Sequence, residues 1–377
     1  MSYGLKINFD GYPDIDISSG WYPPVYLGYV DFVTRSDKTP TSVTMANVPS
    51  GAKLYAYADT QTSKTNGGSG SNLDMYSVRC WVEGNTVNVA MATWRYISSS
   101  SPNLGKTIRF YIFATLPPSS ISGYGLAVMN DPAGINAAIN QDSSVAALVF
   151  KFTDRSIGAG KSKTYNTGLS TSSPAPVVFV SDSGYNCLST YVFSSGGTWH
   201  ISLYRTGGYW NTDWTSNNWL NETTPRSGVV RLAAFAKNPD PVSGYGMALY
   251  NRRGECIMHT SRPPLITRRT LTNPTPTVPG NPPSANKMGE AAGDKLSAQD
   301  MSNHPMLIGR DLGISVIENE ALPTSVWLQQ DGTWTSGTLS RVNTAPSVTI
   351  TRFGWFGTTG DDLGQPFIYG TDYFDDY

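Results

Sequence analysis

The feature that most constrains the fold of this chain is a short motif that returns at a fixed interval. Tyr-Gly followed by Leu or Met occurs at Tyr3, Tyr124 and Tyr245, so that both intervals are 121 residues. Solenoid repeats recur roughly every 20–50 residues, whereas about 120 residues is the size of one ordinary domain. The sequence therefore predicts three copies of one domain-sized unit. We call them the first repeat (1–121), the second repeat (122–242) and the third repeat (243–377).

Alternating apolar residues and glycine turns predict a β-hairpin at the start and in the middle of each repeat. After the first Tyr-Gly, Leu5 and Ile7 stand two apart and precede the turn Asp10-Gly11. Period-two alternation places one side of a strand on the core, and a glycine turn between two such runs favours a hairpin. Mid-repeat hairpins are predicted at the turns within 81–87, 195–199 and 330–334.

The remainder of each repeat is also typical of short strands. The apolar runs 108–114 and 230–236 come just before the next repeat and predict well-buried closing strands. Short strands separated by Gly, Pro, Asn and Ser turns, with almost no helical periodicity, are typical of antiparallel sheets packed on each other. We therefore predict an all-β fold of three tandem antiparallel β-sandwiches, Ig-like or jelly-roll-like. The stretch 289–300 is predicted to form at most a short surface helix.

The third repeat differs from the second by a proline-rich insertion, which we place at 271–300. Five prolines fall between Leu271 and Ala285. Proline lacks a backbone N–H, so that a segment this rich in proline favours extended conformations and cannot be a central strand. The insertion is predicted to be either an interaction element or an inert surface loop.

Composition and charge exclude several classes of function. Charged residues are 15% of the chain and the formal net charge is -1. The one dense basic stretch, 252–269, is predicted to be a solvated face, so that we expect no nucleic-acid binding. Three cysteines, far apart and without metal-ligand spacing, predict buried free thiols in a reducing compartment. We expect neither an export signal nor insertion into a membrane.

The string most suggestive of catalysis is Gly158–Ser162, which contains the Gly-Lys-Ser of a phosphate-binding loop. The full motif requires a glycine five residues before Gly160, where this chain has Arg155. It also requires a following helix, whereas 163–168 is a poor helix former. The string is therefore predicted to be a hairpin turn.

No other pattern predicts an active site. The three histidines, His200, His259 and His304, lack the sequence context of a catalytic base. Glycosidase chemistry needs two carboxylates facing each other across a sugar, and the acidic pairs of this sequence do not indicate such an arrangement. We predict no catalytic, cofactor-binding or metal-binding residues and no enzymatic activity.

Aromatic residues predict two contact surfaces. Several of them gather within 204–219 beside Gly, Asn, Ser and Thr, a composition typical of contact loops and carbohydrate-facing surfaces. A buried satellite cluster fits the same pattern equally. The acidic aromatic tail, 372–377, resembles a docking peptide for a neighbouring subunit, and a solvated chain end is the alternative. The candidate contact residues are Tyr209, Trp210, Trp214, Trp219, Tyr373, Phe374 and Tyr377.

The chain opens with Tyr3-Gly4-Leu5, an alternating strand, the turn Asp10-Gly11 and then Ser18-Ser19. This order resembles small virion proteins of long-tailed bacteriophages that are encoded near the central tail fibre. The likeness covers about 20 residues at the start of each repeat. The resemblance implies a minor tail or tail-tip protein without catalytic residues. The third repeat keeps Asn251, Gly254 and Thr260-Ser261, while the first departs by carrying Phe9 where the others have Asn130 and Asn251.

Two functions from different classes are therefore predicted. The first is a non-enzymatic structural protein of a bacteriophage tail, made in the host cytoplasm and located in the virion. Its expected partners are other tail proteins and further copies of itself, in a trimer or larger cyclic oligomer. The alternative is an adhesin that binds a host receptor or glycan through the Trp/Tyr-rich loops. An enzyme ranks last.

Overall fold

The fold is known for a defined part of the chain. The computed structural model describes residues 6–7, 15–16, 24–37, 39–46, 48, 51–58, 62–66, 73–96, 105, 107–115, 125–130, 134–140, 145–158, 161–205, 210–213, 218–221, 227–237, 247–250, 254, 256–268, 270–271, 295–309, 311–317, 320–328, 330–332, 334–338, 353–357 and 365–377. Each of the three repeats contains strands that pair antiparallel. The predicted all-β class is therefore confirmed.

The first repeat forms a two-sheet sandwich. Its described strands are β1 (Lys6–Ile7), β2 (Ile15–Asp16), β3 (Val25–Val33), β4 (Thr41–Thr44), β5 (Lys53–Ala58), β6 (Thr62–Asn66), β7 (Leu73–Glu83), β8 (Thr86–Tyr96) and β9 (Thr107–Thr115). One sheet has the order β3-β9-β5 and the other β4-β8-β7-β6. The hairpins β1–β2 and β7–β8 lie where the sequence predicts them.

The closing strand β9 is buried on both faces because its two sets of alternate side chains meet different partners. Ile108, Phe110 and Ile112 join the core between the two sheets of the first repeat. Tyr111 and Phe113 point the other way and join a larger core that the three repeats share. The prediction of a well-buried closing strand is confirmed, and the second face explains why the run contains aromatic residues.

The second repeat follows the same order of elements. Its described strands are β10 (Gly125–Asn130), β11 (Gly134–Asn140), β12 (Ala146–Asp154), β13 (Lys161–Ser170), β14 (Val177–Asp182), β15 (Leu188–Ser195), β16 (Thr198–Arg205), β17 (Trp210–Asp213), β18 (Asn218–Asn221) and β19 (Val230–Lys237). The hairpins β10–β11 and β15–β16 confirm two predictions. Gly196 and Gly197 both have positive φ, as a two-residue type I′ turn requires.

The third repeat contains strands and one short helix. They are β20 (Ala248–Tyr250), β21 (Cys256–His259), β22 (Thr270–Leu271), α1 (Ala298–Ser302), β23 (Pro305–Ile308), β24 (Asp311–Ile317), β25 (Glu320–Leu328), β26 (Trp334–Thr338), β27 (Phe353–Gly357) and β28 (Gln365–Tyr369), followed by a 3-10 turn (Gly370–Asp372). β20–β21 and β25–β26 are the predicted hairpins. The helix begins late in the predicted stretch because Ser297 and Asp300 form a capping box. Residues 272–294 of the insertion lie outside the described residues.

The second and third repeats share both of their sheets. The six-stranded sheet has the order β12-β19-β14-β23-β28-β22, and the other large sheet follows β13-β16-β15-β25-β24-β27, with β26 beside β25. The junctions are the antiparallel pairs β14–β23 and β15–β25. These sheets therefore continue across the predicted boundary at residue 242. Whether each repeat folds on its own stays a prediction.

The third repeat also covers the opposite edge of the second-repeat sheet. Residues 263–265 run along β12, where the Leu148 amide donates to the Pro263 carbonyl at 2.8 Å and the Leu265 amide donates to the Ala146 carbonyl at 2.7 Å. Since β23 pairs with β14 at the other side, strands β12, β19 and β14 are bounded at both edges by the third repeat. Covering both edges removes two sites at which another chain could add a strand.

Candidate functional site

The carboxy-terminal segment, residues 370–377, leaves β28 and crosses onto the second repeat. Its central residue, Tyr373, is fully buried. The Tyr373 hydroxyl donates to the Pro264 carbonyl and accepts from the Ile266 amide, both at 2.9 Å. Its ring packs edge-on against Phe235 of β19 at a centroid distance of 5.0 Å. Burial raises the pKa of Tyr373 well above its ordinary value, so that the hydroxyl stays a neutral donor.

The next residue extends the same contact. Phe374 is 5% exposed and belongs to the core that the repeats share. The Lys151 ammonium of β12 donates to the Tyr373 carbonyl at 3.0 Å and lies 5.6 Å from the centre of the Phe374 ring. Burial lowers the pKa of Lys151, and the carboxylates of Asp375 and Asp376 oppose that shift. The segment thus supplies both an apolar anchor and a counter-charge to β12.

The last residues of the segment surround a buried arginine of β19. Arg231 Nε lies 3.2 Å from Asp376 Oδ1, and Arg231 Nη2 also donates to the Asp376 carbonyl. The guanidinium carbon sits 3.9 Å from the centre of the Tyr377 ring. The His304 ring stacks on the Tyr377 ring, with the ring centres 4.1 Å apart and the ring planes within 9° of parallel. Burial raises the pKa of Tyr377 to about 12.

These contacts form one wall of a cleft at the line where the second and third repeats meet. The cleft lies beside the β14–β23 pair, and its polar lining includes Asp182, Ser183, Asn186, Arg231, His304 and Tyr377. The carboxylate of Asp182 forms two bonds with the buried Arg205, Nε to Oδ2 at 2.7 Å and Nη2 to Oδ1 at 3.1 Å. The Gly184 amide and the Asn186 side chain also donate to it. A carboxylate so fully hydrogen-bonded supports the structure and has no spare lone pair for proton transfer.

The junction between the first and second repeats is built differently. Arg109 of β9 forms a bidentate pair with Asp31, with both bonds at 2.8 Å. Its guanidinium lies 4.2 Å from the Tyr29 ring centre and 5.1 Å from that of Trp199 in the second repeat. The buried hydroxyl of Tyr26 donates to the Ala175 carbonyl at 2.6 Å. Aromatic faces, single hydrogen bonds and one β-bridge, between Val25 and Val145, join these two repeats.

The structure brings together some of the predicted contact residues and leaves others aside. Tyr373 and Phe374 are core residues of their own chain, so that their side chains do not form an open surface in this arrangement. Tyr377 remains 39% exposed. Trp210 and Trp219 lie on the hairpin β17–β18, where only the backbone pairing is described. Tyr209 and Trp214 lie outside the described residues.

The strings considered for catalysis have structural roles. Lys161 and Ser162 open strand β13, so that no helix follows the Gly-Lys-Ser. Burial alone would raise the pKa of Asp154 nearby, but hydrogen bonds from Lys163, Tyr165 and Ser156 lower it below the ordinary value. The carboxylate is thus held ionised by fixed donors. Within the described ranges, no group of three His, Cys, Asp or Glu side chains could hold a metal ion.

The histidines and cysteines also occupy structural positions. His200 is half-buried on the outward side of β16. His259 is buried, and its Nδ1 lies 2.5 Å from Ser261 Oγ and accepts from the Ser261 amide at 3.0 Å, which is a local turn. Cys80 and Cys187 are buried, as predicted, while Cys256 is half-buried. In the described part of the chain, no helix is long and apolar enough to cross a membrane.

Comparison with known proteins places the chain in a family. The chain belongs to a family of unknown function (DUF6453), whose model matches residues 4–352. The match includes all of the first two repeats except the first three residues, and most of the third. No curated protein and no solved structure matches the chain.

Proposed function

We propose that this member of the DUF6453 family is a non-enzymatic structural protein of a bacteriophage tail, at the tail tip or among the minor tail proteins. The observation that supports the proposal best is the joining of three Tyr-Gly repeats into one continuous β-body. The second and third repeats share two sheets, and the first repeat stacks on them through an aromatic face. Such a body offers large surfaces for assembly and uses its polar groups for its own cohesion.

The role of the charged residues supports assembly over catalysis. Asp154, Asp182 and Arg205 are buried and spend their hydrogen bonds within the fold. Active sites instead leave titratable groups able to bond a substrate, whereas Asp182 lines the cleft but accepts its four hydrogen bonds from within the fold. The resemblance of the repeat openings to virion proteins of long-tailed bacteriophages supplies the location, and the low charge of the chain suits contact between subunits.

The test is to locate the protein in purified particles. Mass spectrometry of gradient-purified virions should detect peptides of this chain in a fixed ratio to the tail-tube protein, and cryo-electron microscopy should show the β-body at the tail tip. Further copies of the chain should lie around the tail axis as a trimer or a larger ring. Absence of the protein from infectious particles would overturn the proposal.

The alternative proposal is a receptor- or glycan-binding adhesin that uses the Trp/Tyr-rich loops. The supporting observation is the hairpin β17–β18, which carries Trp210 and Trp219 on a two-stranded sheet that pairs with no other described strand. Trp210→Ala and Trp214→Ala variants should then lose binding to host cells without losing incorporation into particles. Unchanged binding by both variants would rule out these loops as the adhesive surface.

A further inference from the structure

Three neighbouring strands of the second repeat present an open outward face. β13, β16 and β15 lie side by side, and β16 alternates between buried residues, such as Trp199 and Ile201, and half-buried residues between them. Register in antiparallel pairs places directly opposed residues on the same side of a sheet. The outward residues of the three strands therefore form rows that can be read from the strand pairing.

Twelve residues form this face in four rows of three. They are Ser162, Tyr204 and Ser189; Thr164, Ser202 and Tyr191; Asn166, His200 and Phe193; and Ser170, Thr198 and Ser195. None of the twelve is buried, and none is Lys, Arg, Asp or Glu. None is Leu, Ile, Val or Met either. Four rows two residues apart make a face about 20 Å long, since a strand rises about 3.4 Å per residue.

An aromatic stack runs through the middle of this uncharged face. The rings of Tyr191 and Phe193 are 5.9 Å apart and within 13° of parallel, and the rings of Phe193 and His200 are 5.6 Å apart at 26°. Tyr191 is 56% exposed, so that its ring is available to a ligand. A directly opposed pair such as Phe193 and His200 stabilises a sheet, but the exposed Tyr191 ring lies opposite Ser202 and is not explained by such a pair.

We propose that this outward face of β13, β16 and β15 binds a neutral polysaccharide. The Tyr191 ring stacks on the apolar C–H face of a sugar ring, and the surrounding hydroxyl and amide groups hydrogen-bond the sugar hydroxyls. The face has no Lys or Arg to pair with carboxylates or sulfates, which favours a neutral over an acidic polysaccharide. The face has no Arg, Trp or Met, which are enriched where proteins bind each other, although its Tyr and Phe side chains are of the enriched kind.

The first repeat supplies a matched surface without these features. Its hairpin β7–β8 also has a two-residue turn, so that Arg79, Trp81 and Glu83 occupy the register positions of Tyr191, Phe193 and Ser195. The Trp81 indole N–H donates to Glu83 Oε1 at 3.2 Å. The two hairpins thus have the same register, but in the first repeat the exposed Glu83 adds a charge and its carboxylate holds the aromatic residue. The binding site is a property of the second repeat and does not depend on the proposed location in a phage tail.

Affinity electrophoresis of the full-length chain tests this inference. Native gels that contain dextran, galactomannan or xyloglucan are compared with plain gels and with gels that contain heparin. We expect at least one neutral polysaccharide to retard the protein and heparin to have no effect. Tyr191→Ala and Phe193→Ala should each weaken the retardation about tenfold. Tyr191→Phe should keep most of it, and Trp81→Ala should leave it unchanged.

Several outcomes would overturn the inference. One is that none of the three neutral polysaccharides retards the wild-type protein. Another is that Tyr191→Ala and Phe193→Ala are retarded as much as the wild type. A third is that heparin retards the wild type more than the neutral polysaccharides do. Sedimentation of the same variants addresses the remaining occupant of the face, a second copy of this chain. If Tyr191→Ala changes the oligomeric state, the face is a subunit interface and the inference fails.

Ser202→Glu places a charge in the centre of the face and should abolish binding while the thermal midpoint is unchanged.

Discussion

The two junctions between repeats are constructed in different ways. The first repeat meets the second through the outward face of its three-stranded sheet, with Tyr26, Tyr29 and Arg109 as the contacts that cross the junction. The third repeat meets the second through backbone pairing at both sheet edges, and then adds the carboxy-terminal segment across it. Separating the face junction unpairs one β-bridge, between Val25 and Val145, and the Ala175 carbonyl, whereas separating the edge junction unpairs backbone groups along two sheet edges. We therefore expect the second and third repeats to unfold together and the first junction to open more easily.

The largest predicted effect is at Tyr373, which joins the two later repeats. Tyr373→Ala leaves a cavity beside Phe235 and should lower the free energy of unfolding by about 3–5 kcal/mol. Urea unfolding of the full chain measures this change. Tyr373→Phe keeps the ring but leaves the Pro264 carbonyl and the Ile266 amide without their partner, at a cost of about 1–3 kcal/mol. If both variants were as stable as the wild type, the segment would not hold the repeats together.

The second prediction concerns the face junction. Arg109→Ala removes the pair with Asp31 and the cation–π contacts with Tyr29 and Trp199, and should cost about 1–2 kcal/mol. Asp31→Asn keeps the stacked guanidinium and should cost less than about 1 kcal/mol, because the carboxylate is partly exposed. Small-angle scattering should show a changed profile for Arg109→Ala. An effect on urea unfolding as large as that of Tyr373→Ala would remove the contrast between the junctions.

Local features of the fold could be predicted from the sequence, and the junctions could not. The opening hairpins and the closing strands β9 and β19 follow from period-two alternation and glycine turns, which act within a few residues. The pairing of β14 with β23 joins residues that are far apart in the chain, and many strands with the same alternation could fill that place. The start of helix α1 was available in the sequence as Ser297 and Asp300, because a capping box is a local signal.

The sequence predicts the aromatic residues of the candidate site but not the surface on which they pack. Alternating aromatic and acidic residues predict a docking peptide for a neighbouring subunit or a solvated chain end, whereas the segment packs on its own chain. The structure selects its own chain because Arg231 and Lys151, both on strands of the second repeat, supply the matching charges. Neither residue stands out in the sequence. The rows of the neutral face were also hidden, since they arise from the register of three strands.

A smaller effect is predicted at Tyr377, where the segment ends on Arg231 and His304. Tyr377→Ala removes the cation–π contact and the ring stack, and should lower the free energy of unfolding by about 1 kcal/mol. Tyr377→Phe keeps both ring contacts and serves as the control. Hydrogen exchange of the Phe374 amide, which donates to the Gly370 carbonyl at 2.9 Å, should become faster in the alanine variant only. Equal exchange in both variants would show that the ring does not hold the segment in place.

The smallest predicted effect is a pH dependence of the same contact. Burial, and then the charge of Arg231, lower the pKa of His304 below its ordinary value of 6.5. In the unfolded chain His304 takes up a proton as the pH falls through about 6.5, while in the folded chain it stays neutral until a lower pH. The stabilisation is therefore complete above about pH 6.5 and decreases as the pH falls towards the folded-state pKa. Acid should therefore loosen the edge junction.

Urea midpoints measured between pH 8 and pH 5 in the wild type and in His304→Gln isolate this contribution, because all other titrating groups are common to both chains. The wild-type midpoint should fall more steeply below pH 6.5 than that of the variant, and exchange of the Phe374 amide should become faster in the wild type over the same interval. Parallel curves for the two proteins would show that His304 does not change its protonation between the folded and unfolded states. The stack on Tyr377 would then contribute packing alone, and the contrast between the two junctions would not depend on pH.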